Sequence, residues 1–496
     1  MDYKKVGNTG GWAVVFFLML GLYACSKEQY TTDPGVRLRF SVDTLRFDTV
    51  FTSRGSATRF FKVFNTYDQY VRISQVSLKG ANQGRFRLNV DGIPGSVHQD
   101  VTIPPGDSIY IFAEVTVDPD QPLSSSPFII EDKLEFTING QMQQVVLEAW
   151  GQNANYIPNR FNQGNLALLS CNLGEVVWSD PKPYVIYGIL FVDSCTLTIP
   201  AGARVYVHGG LGKTPENVFY NDGMLFFLER GRLKMEGTLE QPIVIEGDRL
   251  EPEFRNVPGQ WAGIRFGAGS FGPHSFRNVH IKNSLFGIYA DSTSRVELEN
   301  SIISNTTASG LIGIRSDIQA TNCLFYDNFG GGANLLFGGN YRFRYCTFSN
   351  DGLSKEVLSA QNHICRSSDC TTIELFPLQL EVVNSILHNG GKDVLNLINL
   401  RPEVSGFFNY SFINSVLRVE DLLKKPPFSD FYNRCTSCVE LKRQDRLFLN
   451  VREKDFTLDT MSVARGVGVN LPSVTSDLKG QLRKMPPDAG CFEFQE

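Results

Sequence analysis

The chain has no net basic field. Its 496 residues carry 47 Lys and Arg against 52 Asp and Glu, a formal net charge of -5, so nucleic acid is not an expected partner. Methionine (7) and tryptophan (4) are scarce, whereas Gly (45) and Phe (37) are abundant beside many Val, Ile and Asn; that balance favours strands over helices. Beyond the first 24 residues no segment is apolar enough to span a bilayer. Cysteine is missing between Cys25 and Cys171, so a domain confined to that interval has no internal disulfide. At this length one ordinary core is too little, and two domains or an elongated repeat are expected.

The first residues read "MDYKKVGNTGGWAVVFFLMLGLYAC". Lys4 and Lys5 precede an apolar run from Trp12 to Leu22, too short to cross a membrane and suited to the core of a signal peptide. Leu22-Tyr23-Ala24-Cys25 resembles a bacterial lipobox, although Tyr23 is bulkier than the residue most lipoboxes carry there. The resemblance implies a signal peptide over 1–24, lipidation of Cys25, a linker over 25–32 and a cell-envelope location: outer-membrane anchored, periplasmic or surface-exposed. A plain cleaved secretory signal is the alternative. Export permits disulfides, and nine cysteines remain after Cys25, an odd number. Cys365 with Cys370 and Cys435 with Cys438 are local pairs. Loop-stapling disulfides or free thiols fit them better than zinc, because no His stands at ligand spacing beside the second pair; no metal is expected.

From 33 to 152 short alternating phrases such as "SIYIFAEVTV" and "QQVVLEAWG" are broken by "IPPGDS", "DPDQP" and "NGQ", the pattern of an antiparallel sandwich. The order of these phrases resembles the Ig-like domains of bacterial and cilia-associated proteins, which implies a spacer or docking module. His98, its one histidine, has no nucleophile beside it.

A different pattern follows. Asn278, Asn300 and Asn322 are 22 residues apart, Tyr345 follows after 23, and Asn384 and Asn414 come after longer steps with insertions near 353–378 and 391–405. Such a period belongs to a solenoid. Before the Asn, apolar residues stand at every second position (Val296, Leu298; Ile318, Ala320; Tyr341, Phe343), as on a strand facing inward. After it the parity changes, with a small row (Ser301, Cys323, Cys346, Ser385, Ser415) and a large apolar row (Ile303, Phe325, Phe348, Leu387, Leu417). The chain must therefore turn at the Asn, a residue that tolerates a left-handed backbone. A second polar row, Asn283, Asn305, Asp327, Asn350 and Asn389, is expected to face inward and form one amide ladder from coil to coil. Cys323 and Cys346 read as packed thiols.

These phrases resemble the right-handed parallel β-helix of the pectate-lyase-like superfamily. Further support comes from "LTIPAGARVYV", "GRLKMEGTLEQPIVIEGD" and "GQWAGIRF". The sequence "DLKGQLRKMPPDAGCFEF" also matches a closing motif of secreted β-helix lipoproteins through Asp477, Gly480, Arg483, Asp488, Gly490 and Glu493. The expected fold class is therefore all-β, with a sandwich over 33–152 followed by a β-helix over 165–496. One row departs from the pattern: His280, Ile302, Leu324, Thr347, Ile386 and Val416 point outward, yet four of the six are apolar. Such a stripe calls for cover, expected from the 353–378 insertion with its "CRSSDC" hairpin.

Enzymes of this fold carry carboxylates, often with calcium, beside Arg or Lys on one outward face. The corresponding wet strands here carry Arg295, Glu297, Glu299, Asp317, Arg342 and Arg344. As an enzyme, a polysaccharide lyase or glycoside hydrolase, the chain would use Glu297, Glu299, Arg342 and Arg344; no catalytic set is assigned. The plainer reading is a solvated face of weak charge pairs. Binding of an extended polysaccharide or other cell-surface polymer ranks first, through Arg295, Glu297, Asp317, Arg342, Arg344, Tyr289 and Tyr326, with Phe329 as further stacking surface. A structural or adhesive role is the third reading. No cofactor is expected, calcium being the one ion the carboxylates suit. His208, His274 and His363 read as ordinary isolated histidines, and "GGLGKT" lacks phosphate-loop spacing.

Overall fold

Period-two patterning and frequent turn residues produce a chain that is almost entirely strand and turn. The computed structural model describes residues 28–51, 58–80, 85–116, 128–157, 166–213, 219–251, 253–270, 272–350 and 356–495. Cys25 and the apolar run before it lie outside these residues. Among the described residues no helix is long and apolar enough to cross a membrane. Two units divide at Asn153.

Among the described residues the first unit holds two five-stranded sheets. The strand Ser108–Val115 shows how they form: Ile109, Ile111, Ala113 and Val115 are buried and the residues between them are not. Buried apolar residues from both sheets, among them Phe47, Phe61, Val63, Leu88, Phe136 and Leu147, form one core cluster. Among the described strands pairing is antiparallel except where Gln141–Gln152 runs parallel to Thr44–Phe51; a single parallel bridge also joins Tyr30 and Tyr70. Asn65, buried at one end, donates from Nδ2 to the carbonyls of Gln69, Ile103 and Pro104 and accepts from the Tyr67 N–H.

The second unit is a right-handed parallel β-helix with three faces. Each coil runs through a strand on the first face, such as Arg295–Glu299, a corner, a strand on the second face, such as Ile302–Thr306, and a strand on the third, such as Leu311–Ile314. Among the described residues the second face has eleven strands and the others nine each, and in every face the neighbours are strands of successive coils. The stacking begins at Asn155–Ile157, ahead of residue 165.

The corner occurs where the parity change places it. Asn278, Asn300, Asn322, Tyr345, Asn384 and Asn414 all have φ between 47° and 52°, the left-handed region that asparagine tolerates best among non-glycine residues. The small row also has a function beyond fitting a tight space. Ser301 Oγ accepts the Val279 N–H, Ser385 Oγ the Cys346 N–H and Ser415 Oγ the Ser385 N–H, so hydroxyls of one coil receive backbone donors of the coil before. Inside, Ile303, Phe325, Phe348, Leu387 and Leu417 are at most 1% exposed, and the Phe325 and Phe348 rings stack at 4.6 Å. Each such side chain contributes about 1.5–3 kcal/mol by leaving water. At the last coils Phe428 and Phe431 cover Tyr410 and Phe412.

Two expectations are corrected. The second polar row is two ladders. Asn283, Asn305 and Asp327 have φ of 64°, 56° and 53°, so they form a second corner. Asn305 Nδ2 donates to Asn283 Oδ1, and both amides also donate to carbonyls at Arg255 and Asn256. Asn350 remains in the strand Thr347–Asn350 and joins a neighbouring column, with Asn350 Oδ1 accepting the Asn328 N–H and Asn328 Oδ1 accepting from Thr306. A residue at a corner leaves the parity of its strand, which separates Asn305 from Asn350. Second, the 353–378 insertion does not cover the outward stripe. It supplies the third-face strand Leu358–Gln361 and then the hairpin of His363–Cys365 with Ile373–Leu375, leaving the coil between the third and first faces, whereas the stripe lies on the second.

The cover is the C-terminal tail. Leu324, Ile386 and Val416 share a buried cluster with Leu441, Leu447, Phe456, Leu458, Ala489, Cys491 and Phe492. The closing motif fixes the tail to the corners: Arg483 donates to Asn322 Oδ1, lies 3.6 Å from the Tyr345 ring centre and pairs with Glu493 at 3.3 Å, both side chains 2% exposed. Asp477 accepts the Gln481 and Glu493 N–H groups, and Asp488 those of Gly466 and Phe494. Gly490 (φ 93°) permits close approach, since a Cβ there would meet Ile386 Cδ1 at 2.6 Å.

Of the two readings open for the local cysteine pairs, each holds for one pair. Cys365–Cys370 is a disulfide, as is Cys171–Cys195, which ties the turn before the first-face strand Gly174–Val177 to the start of Cys195–Pro200 in the next coil. Cys435 and Cys438 are free thiols, as are the buried Cys323, Cys346 and Cys491.

Candidate functional site

The outward side chains of the first face form straight columns, because parallel in-register pairing sets each residue over its counterpart. One column runs Thr198, Lys234, Ser275, Glu297, Gln319, Arg342, Glu381, Ser411. Beside it run Glu236, Arg277, Glu299, Thr321 and Arg344, and on the other side Arg295, Asp317, Asn340 and Gln379. A groove of about 320 Å³ opens over these columns. Its floor includes Ser275, Arg277, Glu297, Glu299, Gln319 and Thr321, and Ser473 and Val474 of the tail form a wall.

Charges in the columns are largely matched. Arg295 pairs with Glu297 at 2.8 Å, Arg277 with Glu299 at 3.2 Å and Arg344 with Glu381 at 3.0 Å. All are substantially exposed, so each pair is worth about 0–1 kcal/mol; they serve to orient the side chains. Arg342 has no ion-pair partner among the described residues. Asp317 stands between Arg295 and Asn340 in register, and its buried Oδ1 has no hydrogen-bond partner. Below it Tyr341 donates to the Gly338 carbonyl, and burial pushes its phenol up to about 12. Glu297 and Glu299 are held by arginines, and among the described residues neither belongs to a cluster of three metal-ligating groups.

The structure therefore brings together Arg295, Glu297, Glu299, Asp317, Arg342 and Arg344 on one face. It does not bring Tyr289 or Tyr326 to them. Tyr289 is in the outward column of the third face, with the Arg265 guanidinium 4.8 Å from its ring centre. Tyr326 is on the second face under the tail, its ring 5.2 Å from Phe456. Both fall on strands after the corner, where sequence adjacency to a charged strand no longer means spatial adjacency. Phe329, 44% exposed, lies beyond the second corner. Sequence reading missed Glu236 and Arg277, which are legible once "GRLKME" is aligned as an earlier coil. It also missed Ser473 and Val474, for which the sequence carries no periodic signal.

The other histidines have structural places. His274 is fully buried inside the first face, stacked on Phe266, its Nδ1 accepting the Leu233 N–H and its Nε2 donating to Ser270. Burial, with Arg232 nearby, lowers its pKa to about 3. His208 pairs with Asp248 at 2.7 Å.

The family described as "Right handed beta helix region" matches residues 262–403. No curated protein matches. Among solved structures, the chain is similar to a protein of unknown function from Porphyromonas gingivalis (15% identity over 26% of this chain and 50% of that one, TM-score 0.18). It is similar too to a family 123 glycoside hydrolase from Clostridium perfringens (6% identity, 38% and 44%, TM-score 0.18). A third is the catalytic unit of an alpha-1,3-glucanase from Streptomyces thermodiastaticus (10% identity, 72% and 73%, TM-score 0.28). The chain thus spans half or less of the length of the first two.

Proposed function

We propose that this is a cell-envelope protein, exported and lipid-anchored through Cys25, that binds an extended polymer of the glycan class along the first face of its β-helix. The observation that carries the reading is the unbroken outward column from Thr198 to Ser411, eight polar side chains in register. At about 4.8 Å per coil it extends about 34 Å. Hydroxyls of a sugar chain are donors and acceptors at regular intervals, and so is this column. Each hydrogen bond adds only about 0.5–1.5 kcal/mol net, so affinity grows with the number of coils engaged, which favours a long ligand over a small one. Arg342, the unpaired cation of the column, suits a polymer carrying carboxylates. The preceding unit is read as an Ig-like spacer.

Binding is preferred to catalysis because Glu297 and Glu299 are each engaged by an arginine. Affinity electrophoresis in gels containing acidic or neutral polysaccharides, with and without calcium, tests the reading. Retardation by at least one polymer is expected, weakened about tenfold by Arg342→Ala, the loss of one charge-assisted hydrogen bond. A folded protein retarded by none would leave the structural or adhesive role. Release of new reducing ends or unsaturated products would assign a lyase or hydrolase using Glu297, Glu299, Arg342 and Arg344.

A further inference from the structure

The hairpin that leaves the helix after the third-face strand Leu358–Gln361 carries a set of groups that the polymer-binding reading does not use. His363 and Cys365 are two residues apart on one strand, so their side chains project to the same side. The chain returns through Ser367, Ser368 and Asp369, with the Cys370 N–H donating to the Ser367 carbonyl and the Arg366 N–H to that of Thr372. This turn brings Cys370 back toward Cys365. The ligating atoms of His363, Cys365 and Cys370 lie within 4.8 Å of one another, the one such three-residue group among the described residues.

His363 supplies a second and independent observation. Its side chain belongs to a residue only 6% exposed, and its Nδ1 is buried with no hydrogen-bond partner. Buried polar atoms are normally satisfied, and an exception asks for an ion or a role. Around a single ion with metal–sulfur bonds of about 2.3 Å and a metal–nitrogen bond of about 2.0 Å, ligand atoms stand about 4 Å apart, a separation the cluster reaches once its sulfurs are no longer bonded to each other.

We infer that the reduced hairpin is a binding site for a thiophilic d10 ion, Zn(II) or Cu(I), held by His363 Nδ1, Cys365 Sγ and Cys370 Sγ. Two thiolates and an imidazole are the donor set that soft and borderline ions select over calcium or magnesium. In the structure the sulfurs are joined as a disulfide. Opening it takes two electrons and two protons: a thiol reductant supplies both and becomes a disulfide, whereas a phosphine supplies the electrons and becomes the phosphine oxide, with water giving the oxygen and the two protons; metal binding then releases the two thiol protons. Because Cys365 is exposed, a reductant reaches the bond. The disulfide and the metal-bound dithiol are thus alternative closures of the same loop.

The test uses the full chain, reduced with a phosphine, desalted without oxygen and titrated separately with Co(II), as the spectroscopic stand-in for Zn(II), and with Cu(I). Cys435→Ser with Cys438→Ser provides a background lacking the other half-buried thiol pair. In that background thiolate-to-metal absorption is expected to saturate near one equivalent, His363→Ala to weaken binding at least tenfold and Cys365→Ser to abolish it. Co(II) displaced by Zn(II) identifies the divalent ion; absorption with Cu(I) alone identifies the monovalent one. The inference is overturned if neither ion gives the absorption, if Cys365→Ser retains it or if His363→Ala leaves affinity unchanged. Should the double-serine background fail to fold, the same comparison of His363→Ala with the unaltered chain decides it.

Discussion

At the scale of single residues the fold depends on amides and small groups set at corners. Asn300 has φ 49° and its Oδ1 accepts from Asn322 Nδ2. Asn300→Ala places a less tolerant residue in the left-handed region and removes that acceptor; a loss of about 1–2 kcal/mol is expected from urea unfolding. Asn300→Gly, which accepts positive φ freely, should lose clearly less. If alanine and glycine prove equal, backbone conformation is not what selects asparagine there. His274 makes stability depend on pH. Its folded pKa, about 3, lies below the ordinary value of 6.5, so above pH 6.5 the ring is neutral in both states and its contribution is complete. As pH falls below 6.5 the unfolded chain takes up a proton that the folded chain refuses. Stability then drops by up to about 1.4 kcal/mol per pH unit toward pH 3. Denaturation midpoints at pH 7 and pH 5 should show the drop, and His274→Gln should flatten it.

At the scale of elements, the tail is locked by one buried ion pair. Removing Arg483 leaves Glu493 charged and buried, which costs about 3–5 kcal/mol, so Arg483→Met should lower the melting temperature and open residues 441–494 to protease before the coils. Cleavage that begins in the coils would contradict this. The contrast between coil and tail also explains what was legible in the sequence. Corners, inward rows and the charged columns repeat locally, so "ELENSIISN" aligned with "ATNCLFYDN" reveals them. The two amide ladders were hidden because Asn305 and Thr306 are neighbours in sequence and only the corner at Asn305 separates their columns. The cover over Ile302, Leu324 and Ile386 was visible as a need, whereas its source was not: residues 441–494 have no period and touch the stripe only through contacts distant in sequence. Tyr289 and Tyr326 were misplaced for a related reason, since a corner directs each strand to a different face.

At the scale of the whole molecule the β-helix behaves as coils bonded chiefly to their neighbours; the Asn256 carbonyl reaches Asn305 two coils on, and the tail ties Asn322, Tyr345 and Asn384 together. A chain ending at residue 440 should therefore keep its coils and expose Leu324, Ile386 and Val416, binding a hydrophobic dye and associating at micromolar concentration. A monomeric, dye-silent truncation would show that the stripe needs no cover. The same arrangement orders events during synthesis. The ribosome delivers the coils before residues 441–494, so a nascent chain presents a greasy strip to chaperones until those residues have emerged. A chain that has not yet made its shield thus carries a surface that sets it apart from one that has.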